Sequence, residues 1–222
     1  MNSSKTRFLL LGASVVSLGI ALGTLLWLKL PPMPTQLGRH AQSLEGLDRY
    51  GTVPEFSLTE RSGKSVRLRD LRGKIWVADF IYTNCKDTCP LQTAEMAKMQ
   101  EQWQKQGDDR QNLKLVSFSV DPDHDTPQML SHYAENFKAD PDRWLFLTGE
   151  KEQISQLIQA GFRLSATPLT ENGSTDQVIL HSPRFVLIDG ETEIRGYYDS
   201  RDAEALARLK KDVATLMNEK KE

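Results

Sequence analysis

Neither sign of charge dominates this chain of 222 residues: 28 Lys and Arg stand against 30 Asp and Glu, a net charge of −2. Without a basic excess the chain is not built as a general nucleic-acid binder. No segment repeats at solenoid length, and the composition is not that of extended disorder. No EF-hand spacing organises the acidic residues. Cysteine is nearly absent. The two present, Cys85 and Cys89, both lie in "DFIYTNCKDTCP" at 79–90. Histidine is scarce as well, with only His40, His124, His132 and His181. A disulfide, a redox pair and a metal site all use cysteines four positions apart. A purely structural bridge is the weakest of the three, because closing so short a loop contributes only about 2 kcal/mol. A chain long enough to bury a core of its own does not need that staple.

Long apolar runs are missing too, with one exception. "FLLLGASVVSLGIALGTLLWL", Phe8 to Leu28, contains no charged residue. As a helix it would span about 30 Å, the thickness of a bilayer core. Lys5 and Arg7 precede it and should hold the short N-terminus in the cytoplasm. A cleaved signal peptide shares the pattern, but the length, the Trp27–Lys29 boundary and the lack of an A-x-A site favour an uncleaved anchor. Either way the protein is exported to a space where disulfides can form. Three domains of organisation follow: residues 1–30 as membrane anchor or signal sequence, 31–50 as a tether stiffened by prolines, and 51–219 as one folded domain.

That domain alternates strand and helix. "EFSLTERSGKSVRL" reads as an N-terminal hairpin turning at Ser62-Gly63. "KIWVADFIY", "LKLVSFSV" and "WLFLTG" read as buried strands. The helix beginning "CPLQTAEMAKMQ" has Pro90 in its first turn, with Leu91, Met96, Met99 and Trp103 expected on one face. Thr126 is expected to cap a helix that has Pro127 at its first position. "EKEQISQLIQAGF" reads as a helix closed by Gly161. "SPRFVLIDGETEIRGYYD" reads as two strands joined by an Asp-Gly turn, followed by an amphipathic last helix. Residues 162–179 read as a polar insertion. The order predicts an α/β domain with a central sheet and helices on both faces.

Cys85 therefore falls just after a buried strand, and Cys89 at the start of the next helix. Sites in open α/β sheets gather at the carboxyl ends of strands. A helix N-terminus favours thiolate, which is both the attacking species in disulfide exchange and the form that binds metal. Two thiolates suit soft Cu(I), and an added imidazole also suits Cu(II). A closed zinc site would call for a fourth ligand, for which no residue stands out.

"PEFSLTERSGKSVRLRDLRGKIWVADFIYTNCKDTCPLQ", "SFSVDPDHDTPQML", "WLFLTG" and "HSPRFVLIDG" together resemble the Sco/SenC family of thioredoxin-like, copper-handling proteins. The resemblance covers roughly residues 50–216. It implies a thioredoxin-like fold and a copper ion, Cu(I) or Cu(II), held by Cys85, Cys89 and His181. It further implies copper delivery to the dinuclear copper centre of cytochrome c oxidase, with thiol reduction as the competing activity. His40 and His132 read as solvated residues, and His124 is left open because its loop also follows a strand.

Two further residues bear on redox chemistry. Asp79 interrupts a buried apolar run, where a carboxylate is costly unless paired or protonated. "DFIYTNC" resembles the thioredoxin spacing of an Asp that moves protons beneath the cysteine pair, so Asp79 joins Cys85 and Cys89 as a candidate catalytic residue. At Pro183 the same resemblance implies a cis bond from Ser182 that would bring His181 near the cysteines. The acidic residues of "DPDHDTP" read as turn and cap residues. The sequence thus predicts a single-pass protein of a bacterial inner membrane, its domain in the periplasm. Its partners would be the membrane and an oxidase subunit or another client with cysteines. The rival readings are a thiol–disulfide oxidoreductase and a thiol peroxidase. The latter lacks a separately placed resolving cysteine, though Cys89 could serve.

Overall fold

The computed structural model describes residues 47–85, 88–105, 107, 112–164 and 183–219. In chain order they form β1 (Gly51–Thr52), β2 (Ser57–Glu60), β3 (Ser65–Arg67), β4 (Ile75–Ile81), α1 (Thr88–Lys105) and β5 (Leu113–Ser119). There follow α2 (Pro127–Asn136), β6 (Trp144–Thr148), α3 (Lys151–Gln156), β7 (Arg184–Ile188), β8 (Glu193–Asp199) and α4 (Ala203–Glu219). The expected membrane span at 8–28, most of the tether and residues 165–182 of the insertion and its flank lie outside the described residues. Among the described residues, no helix is long and apolar enough to cross a membrane.

The strands make one mixed sheet in the order β1-β8-β7-β4-β5-β6-β2-β3. β4, β5 and β6 are parallel neighbours, and parallel pairing needs a crossover. α1 supplies it between β4 and β5, and α2 between β5 and β6. β7 closes antiparallel on the other side of β4. A strand flanked on both sides and covered on both faces should be apolar throughout. β4 reads IWVADFI and every residue of it is buried.

Alternation along β4 sends its side chains into two cores. Ile75, Val77 and Ile81 join Met96, Met99 and Trp103 of α1, with Leu209 and Val213 of α4 and both cysteines. Trp76, Ala78 and Phe80 join Phe118, Phe162 and Ile154 on the opposite face. There Phe162 packs against Trp76, Phe80 and Phe118 with ring centroids 5.0 to 6.2 Å apart.

The start of α2 follows its cap: Thr126 Oγ1 accepts from the Met129 N–H at 3.3 Å, with Pro127 in the first turn. Such a cap contributes about 1 kcal/mol. Two expectations are corrected. Leu91 does not share the buried face of α1 and is 68% exposed, since five residues place it about 140° around the helix from Met96. The helix after β6 does not run regularly to Gly161. α3 ends at Gln156, and Leu157–Gly161 widens into a π turn. The extra residue per turn lets Leu157, Ile158 and Phe162 all reach the same core. Gly161 admits no side chain, because a Cβ there would lie 2.6 Å from Pro54 Cδ.

Candidate metal and redox site

β4 ends at Ile81, and the chain turns at once: the Cys85 N–H donates to the Tyr82 carbonyl at 3.2 Å. α1 begins at Thr88, which puts Cys89 in its first turn. The two cysteines meet there. The backbone N–H of Cys89 points at Cys85 Sγ across 3.4 Å, and neither sulfur is in a disulfide. Both are buried, Cys85 at 6% exposure and Cys89 at 5%. Burial, and then the neighbouring Cys85 thiol, push the Cys89 thiol up from its ordinary range. The Cys89 carbonyl accepts from Thr93 Oγ1 at 2.8 Å, and that hydroxyl also meets the Tyr133 hydroxyl of α2 at 2.9 Å. One turn beyond Cys89, Gln92 Nε2 donates to the Arg184 carbonyl at 3.2 Å and ties α1 to the start of β7.

Asp79 lies on the face of β4 that carries Val77 and Ile81, the face of the core that contains the cysteines. It has no exposed surface. Neither carboxyl oxygen makes a hydrogen bond. Its register neighbour on β5 is Ser117, whose Oγ accepts from Trp144 Nε1 at 2.9 Å. Burial outweighs the opposing pull of Ser117 and of the residue's own backbone, and the carboxyl is pushed up to about 7. A charge on Asp79 would raise Cys89 further, so ionisation of one opposes ionisation of the other. Asp79 is not on an edge strand: β4 has β5 on one side and β7 on the other.

One residue of this site was not legible as such. Asp125 was expected to serve a turn or cap. It is 1% exposed and reaches across to the turn before Cys85. Its carboxylate accepts the Thr83 N–H at 3.2 Å, the Thr83 hydroxyl at 2.5 Å and the Ser119 hydroxyl at 2.6 Å. Burial raises this carboxyl, and the bonds from Ser119 and Thr83 oppose the rise. The other acids of the loop behave differently. Asp123 pairs with Lys151 at 2.8 Å. Asp121 lies 2.9 Å from His124 Nδ1 and raises that imidazole. The only sign of Asp125's role in the sequence was its place after a strand neighbouring the one that leads to Cys85.

His181 lies outside the described residues, as do His40 and the Ser182–Pro183 bond. Among the described residues, no three His, Cys, Asp or Glu side chains gather as a metal cage. His124 and His132 are exposed and border a single cleft beside Thr83 and Asn84.

Residues 45–218 match the protein family SCO1/SenC. The chain belongs to the SCO1/SenC family. A crystal structure of a SCO1/SenC family lipoprotein from Bacillus anthracis is 34% identical to it and superposes with a TM-score of 0.67, covering 79% of this chain and 98% of the lipoprotein. BsSco, described as a member of the Sco family of cytochrome c oxidase assembly proteins with a disulfide switch, is 28% identical at a TM-score of 0.64, over 78% of this chain and 97% of BsSco. ScoI of Bradyrhizobium japonicum, solved with copper bound, is 27% identical at a TM-score of 0.59, over 72% of this chain and 99% of ScoI. The α/β fold with a curled mixed sheet is thus that of the thioredoxin-like SCO1/SenC structures.

Proposed function

We propose that this SCO1/SenC chain carries copper during assembly of cytochrome c oxidase, with Cys85, Cys89 and His181 as ligands. The observation that carries the reading is the meeting of Cys85 and Cys89, both free thiols, under one helix N-terminus. Two thiols with an imidazole make a donor set that suits copper better than hard cations. Support comes from the copper-bound ScoI structure and from the stated role of BsSco. Arg184, three residues after His181 in the chain, is tied to Gln92, three residues after Cys89. An N-terminal anchor at 1–30, the tether at 31–50 and the domain at 51–219 would hold the carrier at a membrane, close to membrane-bound clients. The deciding experiment is a Cu(I) competition titration of the reduced protein at fixed pH, since the thiols must lose protons on binding. One tight equivalent is expected, reduced at least tenfold in affinity in His181→Ala and abolished in Cys85→Ser. Tight binding that survives Cys85→Ser defeats the reading.

Asp79 favours a second reading, a thiol–disulfide oxidoreductase. Cys85 thiolate would attack a client disulfide, break its S–S bond to release one client sulfur as thiolate, and form a mixed disulfide with the other. Cys89 would then attack Cys85 Sγ, passing its proton to the Asp79 carboxylate. The client leaves as thiolate, and a Cys85–Cys89 disulfide remains. A buried carboxyl near neutrality, without hydrogen-bond partners, suits that proton step. The disulfide switch of BsSco lends it support.

A further inference from the structure

Met129, His132, Tyr133 and Asn136 are spaced i, i+3, i+4 and i+7 on α2, so they share one face. That face borders a cleft of about 380 Å³ whose other wall is Thr83, Asn84 and His124. Two of the four histidines and an exposed methionine are thereby gathered beside the turn that ends at Cys85. Met129 is 48% exposed, one of two large apolar side chains left so among the described residues. Packing does not account for it. His124 Nδ1 lies 2.9 Å from both carboxyl oxygens of Asp121, which leaves Nε2 as its metal-binding nitrogen. The carboxylate behind the His124 imidazole is the arrangement that orients a ligand histidine, whereas His132 Nδ1 lies 4.0 Å from the Glu135 carboxylate, beyond hydrogen-bond reach.

Two imidazoles, once deprotonated, and a thioether are soft to borderline donors. They accept Cu(I) and offer little to Mg²⁺ or Ca²⁺. Cys85 and Cys89 are almost wholly buried, so a ligand at the surface would give an ion arriving from solvent or from a donor protein its first hold. We propose that His124, His132 and Met129 form a second, open Cu(I) site, a landing position next to the cysteine pair. From there the ion passes to Cys85 by ligand exchange. Bonds to imidazole and thioether break as bonds to sulfur form, the thiol protons go to solvent, and copper keeps its oxidation state. This inference rests on copper being the cargo of the cysteine pair, and its test separates the two.

The test uses the full chain with Cys85→Ser and Cys89→Ser, titrated with Ag(I) as a redox-inert stand-in for Cu(I). One equivalent should shift the Met129 methyl and both the His124 and His132 ring resonances. Met129→Leu, His124→Ala and His132→Ala should each weaken that binding at least tenfold. The same titration on otherwise unaltered protein, oxidised to the Cys85–Cys89 disulfide, guards against a fold damaged by the serines. Absence of the shifts in both forms overturns the site. In reduced protein, His132→Ala should slow Cu(I) loading of the cysteine pair at least fivefold, and an unchanged loading rate overturns the landing role. If the cleft binds while the cysteine pair takes no copper, the carrier function fails and the cleft site stands. If the pair loads tightly and the cleft stays silent, this inference alone fails.

Discussion

The Cys89 N–H donates to Cys85 Sγ across 3.4 Å, so the first turn of α1 folds back on the sulfur that precedes it. The donated N–H favours negative charge on Cys85, while burial and the neighbouring thiol push Cys89 the other way. Substoichiometric iodoacetamide should therefore label Cys85 at least tenfold more than Cys89, as read by peptide mass spectrometry. Equal labelling would mean that this bond does not distinguish the two thiols.

Asp79 makes stability depend on pH in a definite direction. Burial holds its folded-state carboxyl at about 7, whereas the unfolded chain releases that proton near pH 4. Between about pH 4 and 7 the folded state keeps a proton that the unfolded state has lost. Stability from this group therefore falls as pH rises through that window and levels off above it, a change of about 4 kcal/mol if fully expressed. Urea unfolding of wild type and Asp79→Asn across pH 4 to 8 should show the difference between them shifting towards the variant with rising pH. A constant difference would contradict the buried, partnerless carboxyl.

The same substitution tests the proton step of disulfide exchange. Asp79→Asn keeps the size of the side chain and removes its ability to accept a proton. Exchange with a client disulfide should slow at least tenfold, within the usual range for a general base, while copper affinity changes little. Unaltered exchange rates, followed by stopped-flow with a model disulfide, would leave Asp79 without a redox task.

Asp125 braces the turn before Cys85 through Thr83 and Ser119. Asp125→Ala leaves two hydroxyls and one N–H without their acceptor, at a cost of about 3 kcal/mol. Copper affinity should fall with it, since Cys85 is two residues from Thr83. Asp125→Asn, which retains one acceptor oxygen, should recover at least half of the lost stability in urea unfolding. Equal losses in both variants would assign the effect to charge rather than to these bonds.

Topology gives an independent check on residues 1–30. With Lys5 and Arg7 held inside, a reporter fused after Glu222 should be active only on the exoplasmic side. Cytoplasmic activity there would overturn the orientation. A mature N-terminus near residues 22–32 would identify a cleaved signal peptide in place of the anchor.

Much of the fold was written in local sequence. The Thr126 cap, the Asp189-Gly190 turn and the three apolar runs that become β4, β5 and β6 depend on neighbours a few residues away. So does the position of the cysteines between a strand and a helix, because alternating apolar runs and helix formers fix that junction whatever packs around it. Leu91 and the π turn were misread for the opposite reason: which helix face is buried, and how a helix ends, depend on what lies across from it.

The sequence by itself determined that two cysteines stand at the end of a buried strand, with a carboxylate six residues before the first of them. Only the tertiary structure decided what surrounds them. Asp79 is without a partner because β5 and β7 close over both edges of β4 and put it in the cysteine-side core. Asp125 reaches Thr83, 42 residues away in the chain, because parallel pairing sets the ends of β4 and β5 side by side. His124, Met129 and His132 line one cleft with Thr83 and Asn84 for the same reason. Contacts between residues so far apart in sequence follow from strand order and helix packing, which no local pattern of residues encodes.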